Sequence, residues 1–275
     1  MFHDLREVAR ITSLFHSLRH LVTNIQFSKY MEHTVASAAS LTLPLKLESL
    51  RIGTDDAIPV LLSTELKQLR LKSLILDGVK FWHLRYISSS IRDLGSRLLH
   101  FEINFSPNDV EWISDSDLAQ LSLINQTNLQ SIRITGIKLF DPVTSSCALG
   151  LGLPPLIAKL PQTSNLRKLS ISVVPESEST LRLFDWPALR RSVDNHPQCT
   201  IYIEIHRTSE SIKDDDETRA YIFSKFNNSL KDKKDRRVHI KIHDVIDATG
   251  SEFIIAFAPV FCLCLTHCRL FEARP

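Results

Sequence analysis

One phrase recurs six times along this chain of 275 residues: an apolar residue, two variable ones, a second apolar, one variable, a third apolar. It reads Val22, Ile25, Phe27; Leu47, Leu50, Ile52; Leu71, Leu74, Leu76; Leu98, Phe101, Ile103; Leu129, Ile132, Ile134; and Leu166, Leu169, Ile171. The starts at 22, 47, 71, 98, 129 and 166 are 25, 24, 27, 31 and 37 residues apart. A period of this size marks a repeat architecture, in which each repeat stacks on the next to bury a face it cannot bury alone. The last apolar pair of each phrase alternates with variable residues, the spacing of a short strand with one face packed and one face outward.

Between the strand phrases the apolar spacing changes to three and four. Leu5, Val8, Thr12, Phe15, Leu18 and Val22 form one such stripe, which predicts an N-terminal capping helix over residues 1–21. Pro59 suits a first helical turn ahead of Val60, Leu61, Leu62, Leu66 and Leu69, because its missing N–H costs nothing there. Further stripes are Leu84, Ile87, Ile91, Leu94 and Leu98; Leu118, Leu121 and Ile124 after the caps Ser114 and Asp115; and Leu156, Ile157 and Leu160 after Pro154 and Pro155. Leu181, Phe184, Leu189 and Val193 read as a helix interrupted at Pro187, and Ile201, Ile203 and Ile205 as a strand. A last unit holds the acidic run Asp214–Glu217, a helix around 221–230, the basic run Lys231–Arg237 and a strand at Val238, Ile240 and Ile242. The two charge runs read as solvated loops. Alternating βα units of one phase predict an α/β solenoid: a curved parallel sheet with helices on its convex side, spanning residues 22–250.

Charge and cysteine usage exclude several function classes. Basic and acidic residues number 33 and 31, a net charge of +2, which disfavours nucleic-acid binding as a general property of the chain. The start has no apolar stretch before small residues, so it does not read as a secretory signal, and a cytoplasmic or nuclear location is expected. Cys147 and Cys199 stand alone and Cys262, Cys264 and Cys268 crowd one short run, so no disulfide framework is expected. Without secretion, the Asn-x-Ser/Thr triplets at Asn125 and Asn227 are chance matches. There is no G-x-G-x-x-G, P-loop or H-E-x-x-H, and only 7 glycines, so no enzyme, metal or cofactor is expected.

The phrases LKLESLRI, LRLKSLIL and NLRKLSIS, in irregular repeats of growing length, resemble the leucine-rich-repeat portion of fungal F-box-type proteins. The resemblance covers roughly Val22 to Ile242 and implies an irregular leucine-rich-repeat solenoid. It further implies a substrate-receptor role beside a cullin-type ubiquitin ligase, with the repeat arc holding another protein and an F-box holding the ligase adaptor. No Leu-Pro-x-Glu start of an F-box is visible and residues 1–21 are too few for one, so binding of the adaptor by this chain alone is not expected. The repeat consensus also wants Asn or Cys three residues after the third apolar position. Tyr30, Asp55, Val79, Ser106, Ile137 and Val174 stand there, which predicts unequal turns and an irregular arc.

Alternation assigns the outward residues of the strands: Asn24, Gln26 and Ser28; Ser49, Arg51 and Gly53; Ser73, Ile75 and Asp77; His100, Glu102 and Asn104; Ser131, Arg133 and Thr135; Lys168, Ser170 and Ser172. On a concave face these carry recognition, and the charged members Arg51, Asp77, His100, Glu102, Arg133 and Lys168 are the candidate contacts for an unidentified protein. Two other readings remain: a GTPase-activator-like repeat protein in which an exposed arginine such as Arg133 aids phosphoryl transfer, and an inactive truncated fragment. His16, His20, His83, His100 and His196 read as surface or partly buried side chains. The tail, residues 251–275, is apolar from Phe253 to Leu265, shorter than the ~20 residues a membrane span needs. Its Cys262, Cys264, His267 and Cys268 lie too close together for a usual structural zinc site. The tail reads instead as a final strand or a shift of composition.

Overall fold

The computed structural model describes residues 17–23, 43, 45–53, 57–62, 66–106, 118, 121–139, 149–162, 165–207, 215–227 and 238–244. Contacts divide the chain into Met1–Val245 and Ile246–Pro275, and all described residues belong to the first unit. The tail cluster Cys262–Cys268, the basic run Lys231–Arg237 and residues 1–16 of the expected capping helix lie outside the described residues.

Eight strands form one open sheet in chain order, every neighbouring pair parallel. They are β1 (His20–Thr23), β2 (Ser49–Ile52), β3 (Ser73–Val79), β4 (His100–Phe105), β5 (Ser131–Leu139), β6 (Lys168–Pro175), β7 (Thr200–Arg207) and β8 (Val238–Asp244). The repeated phrase sets the register. Leu21, Leu50, Leu74, Phe101, Ile132, Leu169, Ile201 and Val238 are successive partners across the sheet, and so are Thr23, Ile52, Leu76, Ile103, Ile134, Ile171, Ile203 and Ile240. From β2 to β7 every member of both rows is at most 2% exposed. Each such side chain removed from water contributes about 1.5–3 kcal/mol, and a slip of one residue would turn the whole apolar set outward.

The first repeat has a different phase from the one its sequence suggests. Leu21 pairs with Leu50, so the first phrase is Leu18, Leu21, Thr23 and not Val22, Ile25, Phe27. Val22 is 68% exposed. A threonine takes the third apolar place: Thr23 is buried, and its hydroxyl donates to the Arg51 carbonyl oxygen at 3.2 Å. A helix cannot reach residue 22, because residues 20–23 are already extended; Ile25 lies outside the described residues.

Two strands carry an extra residue. Between Leu76 and Val79, and again between Ile134 and Ile137, the register shifts, and the inserted Gly78 and Gly136 have φ of 66° and 75°. A β-bulge with glycine in the left-handed region is the ordinary way to add one residue without losing the next inward position. Val79 and Ile137 therefore point into the core at 0% and 1% exposure, where the consensus would place a turning Asn or Cys. The missing polar ladder is replaced by longer strands. Tyr30 and Asp55 lie outside the described residues.

The described helices are α1 (Ala57–Leu62), α2 (Leu84–Leu94), α3 (Leu149–Ala158), α4 (Glu178–Leu183), α5 (Trp186–Asp194) and α6 (Asp215–Asn227). Leu84, Ile87, Ile91 and Leu94 bury the expected stripe of α2. Three expectations change. Helix α3 begins at Leu149 and contains Pro154 and Pro155, which were expected ahead of it. Pro187 does not break a helix but sits in the first turn of α5, capped by Asp185, whose carboxylate accepts from the Ala188 N–H at 2.8 Å. Asp215, Asp216 and Glu217 of the acidic run form the first turn of α6, where they suit the positive end of the helix dipole, and Asp214 lies outside the described residues. Near Leu118 and Leu121, both buried, the stripe ends one residue early: Leu123 is buried and Ile124 is 61% exposed in a turn.

Candidate protein-binding face

The side of the sheet opposite the apolar rows is built from the alternate residues of the same strands, so its composition follows from the same register. Its first row runs His20, Ser49, Ser73, His100, Ser131, Lys168, Thr200. The second runs Val22, Arg51, Ile75, Glu102, Arg133, Ser170, Tyr202, His239. Farther along lie Asp77, Asn104 beside Thr135, Ser172 beside Glu204 and Lys241, and His206 beside His243. The predicted residues Asn24, Gln26 and Ser28 lie outside the described residues.

All six candidate contacts lie on this side, and four of them hold each other. Arg51 Nε donates to Asp77 Oδ2 at 2.7 Å. Arg133 lies 3.9 Å from Glu102 Oε1 on the strand before it and 3.5 Å from Glu204 Oε2 two strands on. The second reach passes over β6, and it is open because β6 presents only Ser170 and Ser172 there, 4% and 5% exposed. Small serines let long side chains from β5 and β7 close above them. Burial raises the pKa of Glu102, as does the Asp77 carboxylate, while Arg133, Arg51 and Lys168 act the other way.

His100 and Lys168 sit in the more exposed first row. His100 Nδ1 is 2.9 Å from the Ser131 hydroxyl, and the Lys168 ammonium lies 5.1 Å from the centre of the Tyr202 ring. Tyr202 in turn stacks on His239 with centroids 4.9 Å apart, and His206 on His243 at 5.1 Å. Burial lowers the pKa of His206, and the neighbouring His243 adds to the effect. Tyr202, Glu204 and His206 alternate with Ile201, Ile203 and Ile205, so the same rule that gave the earlier strands places them on this side, although they were not among the candidates.

Among the described residues no three His, Cys, Asp or Glu side chains are grouped to hold a metal ion. A recess in the core beside Ile103, Phe105, Ile134 and Ile137 is lined by apolar side chains alone. Elsewhere His83 and His196 are buried; His83 Nδ1 accepts from the Lys80 N–H at 3.1 Å. Among the described residues no helix is long and apolar enough to cross a membrane. Comparison with protein-family models, with curated proteins and with solved structures found no match in any of the three.

Proposed function

We propose that this chain is a repeat-built protein-interaction module, a leucine-rich-repeat-like arc that holds another protein on its strand side and does no chemistry of its own. The observation that carries the reading is the asymmetry of the sheet. Parallel sheets ordinarily have both faces covered and read as continuous apolar strands. Here the strands carry apolar residues on one side and mainly Arg, Glu, Ser, His and Tyr on the other, half-exposed or exposed except where long side chains cover the serines of β6. A broad, rigid, polar surface of this kind suits recognition, because its side chains are already positioned before a partner arrives.

By resemblance the role is that of a substrate receptor, similar to the repeat half of a ubiquitin-ligase F-box protein, and the purified chain alone is expected not to bind a ligase adaptor. The GTPase-activator alternative draws no support from Arg133, whose guanidinium is bracketed by Glu102 and Glu204. The test is site-specific photo-crosslinking in the source cell from Ser131 on the strand side and from Arg92 on α2. Crosslinks to a common partner from Ser131 and not from Arg92 support the reading. The reverse pattern puts the binding surface on the helices and overturns it.

A further inference from the structure

Because all eight strands are parallel and in register, their N-terminal ends lie along one rim of the sheet. The charge there is far from balanced. Residues 17–20, 45–49, 69–73, 97–100, 128–131, 165–168 and 197–200, which lead into β1 to β7, contain seven Lys or Arg and one carboxylate, Glu48. Removing those from the chain's 33 basic and 31 acidic residues leaves 26 and 30, so a net charge of +2 is the sum of +6 at this rim and −4 elsewhere.

The individual contacts leave most of that charge open. Glu48 is shared, 2.8 Å from the Lys72 ammonium and 3.7 Å from Arg19. Arg97 spends its guanidinium on the carbonyl oxygens of Leu69, Asp93 and Leu94. Lys46, Arg70, Arg167 and Lys168 are exposed and make no ion pair among the described residues. The last residues of these segments form the row of His20, His100, Lys168 and four hydroxyls, which contains no carboxylate.

We propose that this rim seats an extended acidic segment of the protein partner, a proposal that rests on the strand-side reading above. From β1 to β7 there are six strand spacings of about 4.8 Å, roughly 29 Å in all, which an extended chain covers in about nine residues at ~3.3 Å each. Carboxylates on such a segment meet open ammonium and guanidinium groups at the rim and serine or threonine hydroxyls beside them. A single-stranded nucleic acid fits less well, since those sites need open aromatic platforms for the bases: the described rim segments contain no Phe, Tyr or Trp, and Tyr202 beside Lys168 is already stacked on His239.

The experiment is fluorescence anisotropy of the full chain with a labelled twelve-residue Glu-Ser-rich peptide, with a twelve-nucleotide oligothymidylate and phosphatidylserine vesicles as other anions. The expected result is saturable peptide binding that weakens at least fivefold between 50 and 300 mM salt, as screening demands. Arg70→Glu/Arg167→Glu/Lys168→Glu should weaken it at least tenfold, and Arg85→Glu/Arg92→Glu on α2 should not. If the Glu triple variant fails to fold, Arg70→Gln/Arg167→Gln/Lys168→Gln should still weaken binding several-fold. Absent peptide binding, equal loss in the α2 variant, or tighter binding of the oligonucleotide or vesicles overturns the proposal. If the peptide fails while Ser131 still crosslinks a partner in cells, the rim proposal falls and the strand-side reading stands.

Discussion

The bulge in β5 makes a sharp demand on one residue. Gly136 has φ of +75°, and a Cβ built there would lie 2.5 Å from the carbonyl oxygen of Phe105 on β4. Gly95, at the end of α2, also has positive φ, +53°, but nothing lies within 4 Å of its Cβ position. Both have positive φ, but Gly95 has ψ of −143°, a combination that glycine alone readily adopts, so its conformational term is at least as large; the steric term belongs to Gly136 alone. A non-glycine residue in the left-handed region costs about 1–2 kcal/mol, offset by about 0.4–1 kcal/mol from the reduced freedom of the unfolded chain. Gly95→Ala should then cost about 1–3 kcal/mol. Gly136→Ala must in addition push a strand backbone that is hydrogen-bonded on both sides, and overpacking of that kind adds about 1–3 kcal/mol. Its expected cost is about 2–4 kcal/mol. Urea unfolding followed by tryptophan emission can read this, because Trp186 is fully buried and donates its indole N–H to the Leu181 carbonyl oxygen at 3.1 Å. If Gly136→Ala costs less than about 1 kcal/mol, β5 does not bulge against β4 as described and the inward positions of Ile137 and Leu139 are wrong.

Leu74→Ala and Leu169→Ala, both at 0% exposure, should each cost about 2–5 kcal/mol in the same melts, and values under about half a kcal/mol would place those leucines outside the core. Ser170→Leu should interrupt the reach from Arg133 to Glu204 over β6, seen as abolition of the coupling between Arg133→Ala and Glu204→Ala in a double-mutant cycle; an unchanged coupling refutes the bridge. Stability should also depend on pH in two opposed windows. Burial lowers His196 and His206 below their ordinary 6.5, so the unfolded chain takes up protons first; their contribution is complete above that value and lost as pH falls through the folded ones. His196→Gln/His206→Gln should flatten the acid side of the profile, and an unchanged slope between pH 5 and about 6.5 refutes it. Burial raises Glu102 above its ordinary 4.5, so its contribution is present below that value and lost as pH rises through the folded one; Glu102→Gln should remove this fall and no other part of the curve.

Most of the sheet could be read from spacing because one apolar phase is repeated, and repetition corrects for any single residue. Leu50, Leu74, Phe101, Ile132 and Leu169 are partners in adjacent strands because each is the middle apolar residue of its phrase. The first repeat was misread for the same reason in reverse. Thr23 occupies a buried position by hydrogen-bonding across the sheet, and a search for three apolar residues passes over it to Val22, four residues late. The bulges were hidden because Asp77-Gly78 and Thr135-Gly136 look like strand ends, and only the pairing of Val79 and Ile137 on the far side shows that the strand goes on. The helix boundaries failed at residues with two uses: proline, allowed in a first turn, and acidic runs, equally at home in a loop or at a helix start.

The distribution of charge was also present in the sequence but was not visible in its total. Stacking in register sorts residues by their phase within the repeat, so Arg19, Lys72 and Arg167, which are 53 and 95 residues apart in the chain, lead into β1, β3 and β6 along a single rim. Arginine and glutamate at mid-strand phases instead neutralise one another, as Arg51 does with Asp77 and Arg133 with Glu102 and Glu204. The mid-strand charges thus make the surface rigid and close to neutral, whereas the residues that lead into the strands give it a direction. Reversing Arg51 or Arg133 therefore sets like charges against half-buried carboxylates and changes stability together with binding, while reversing Arg70 or Arg167 at the rim changes the field a partner meets and leaves the core untouched.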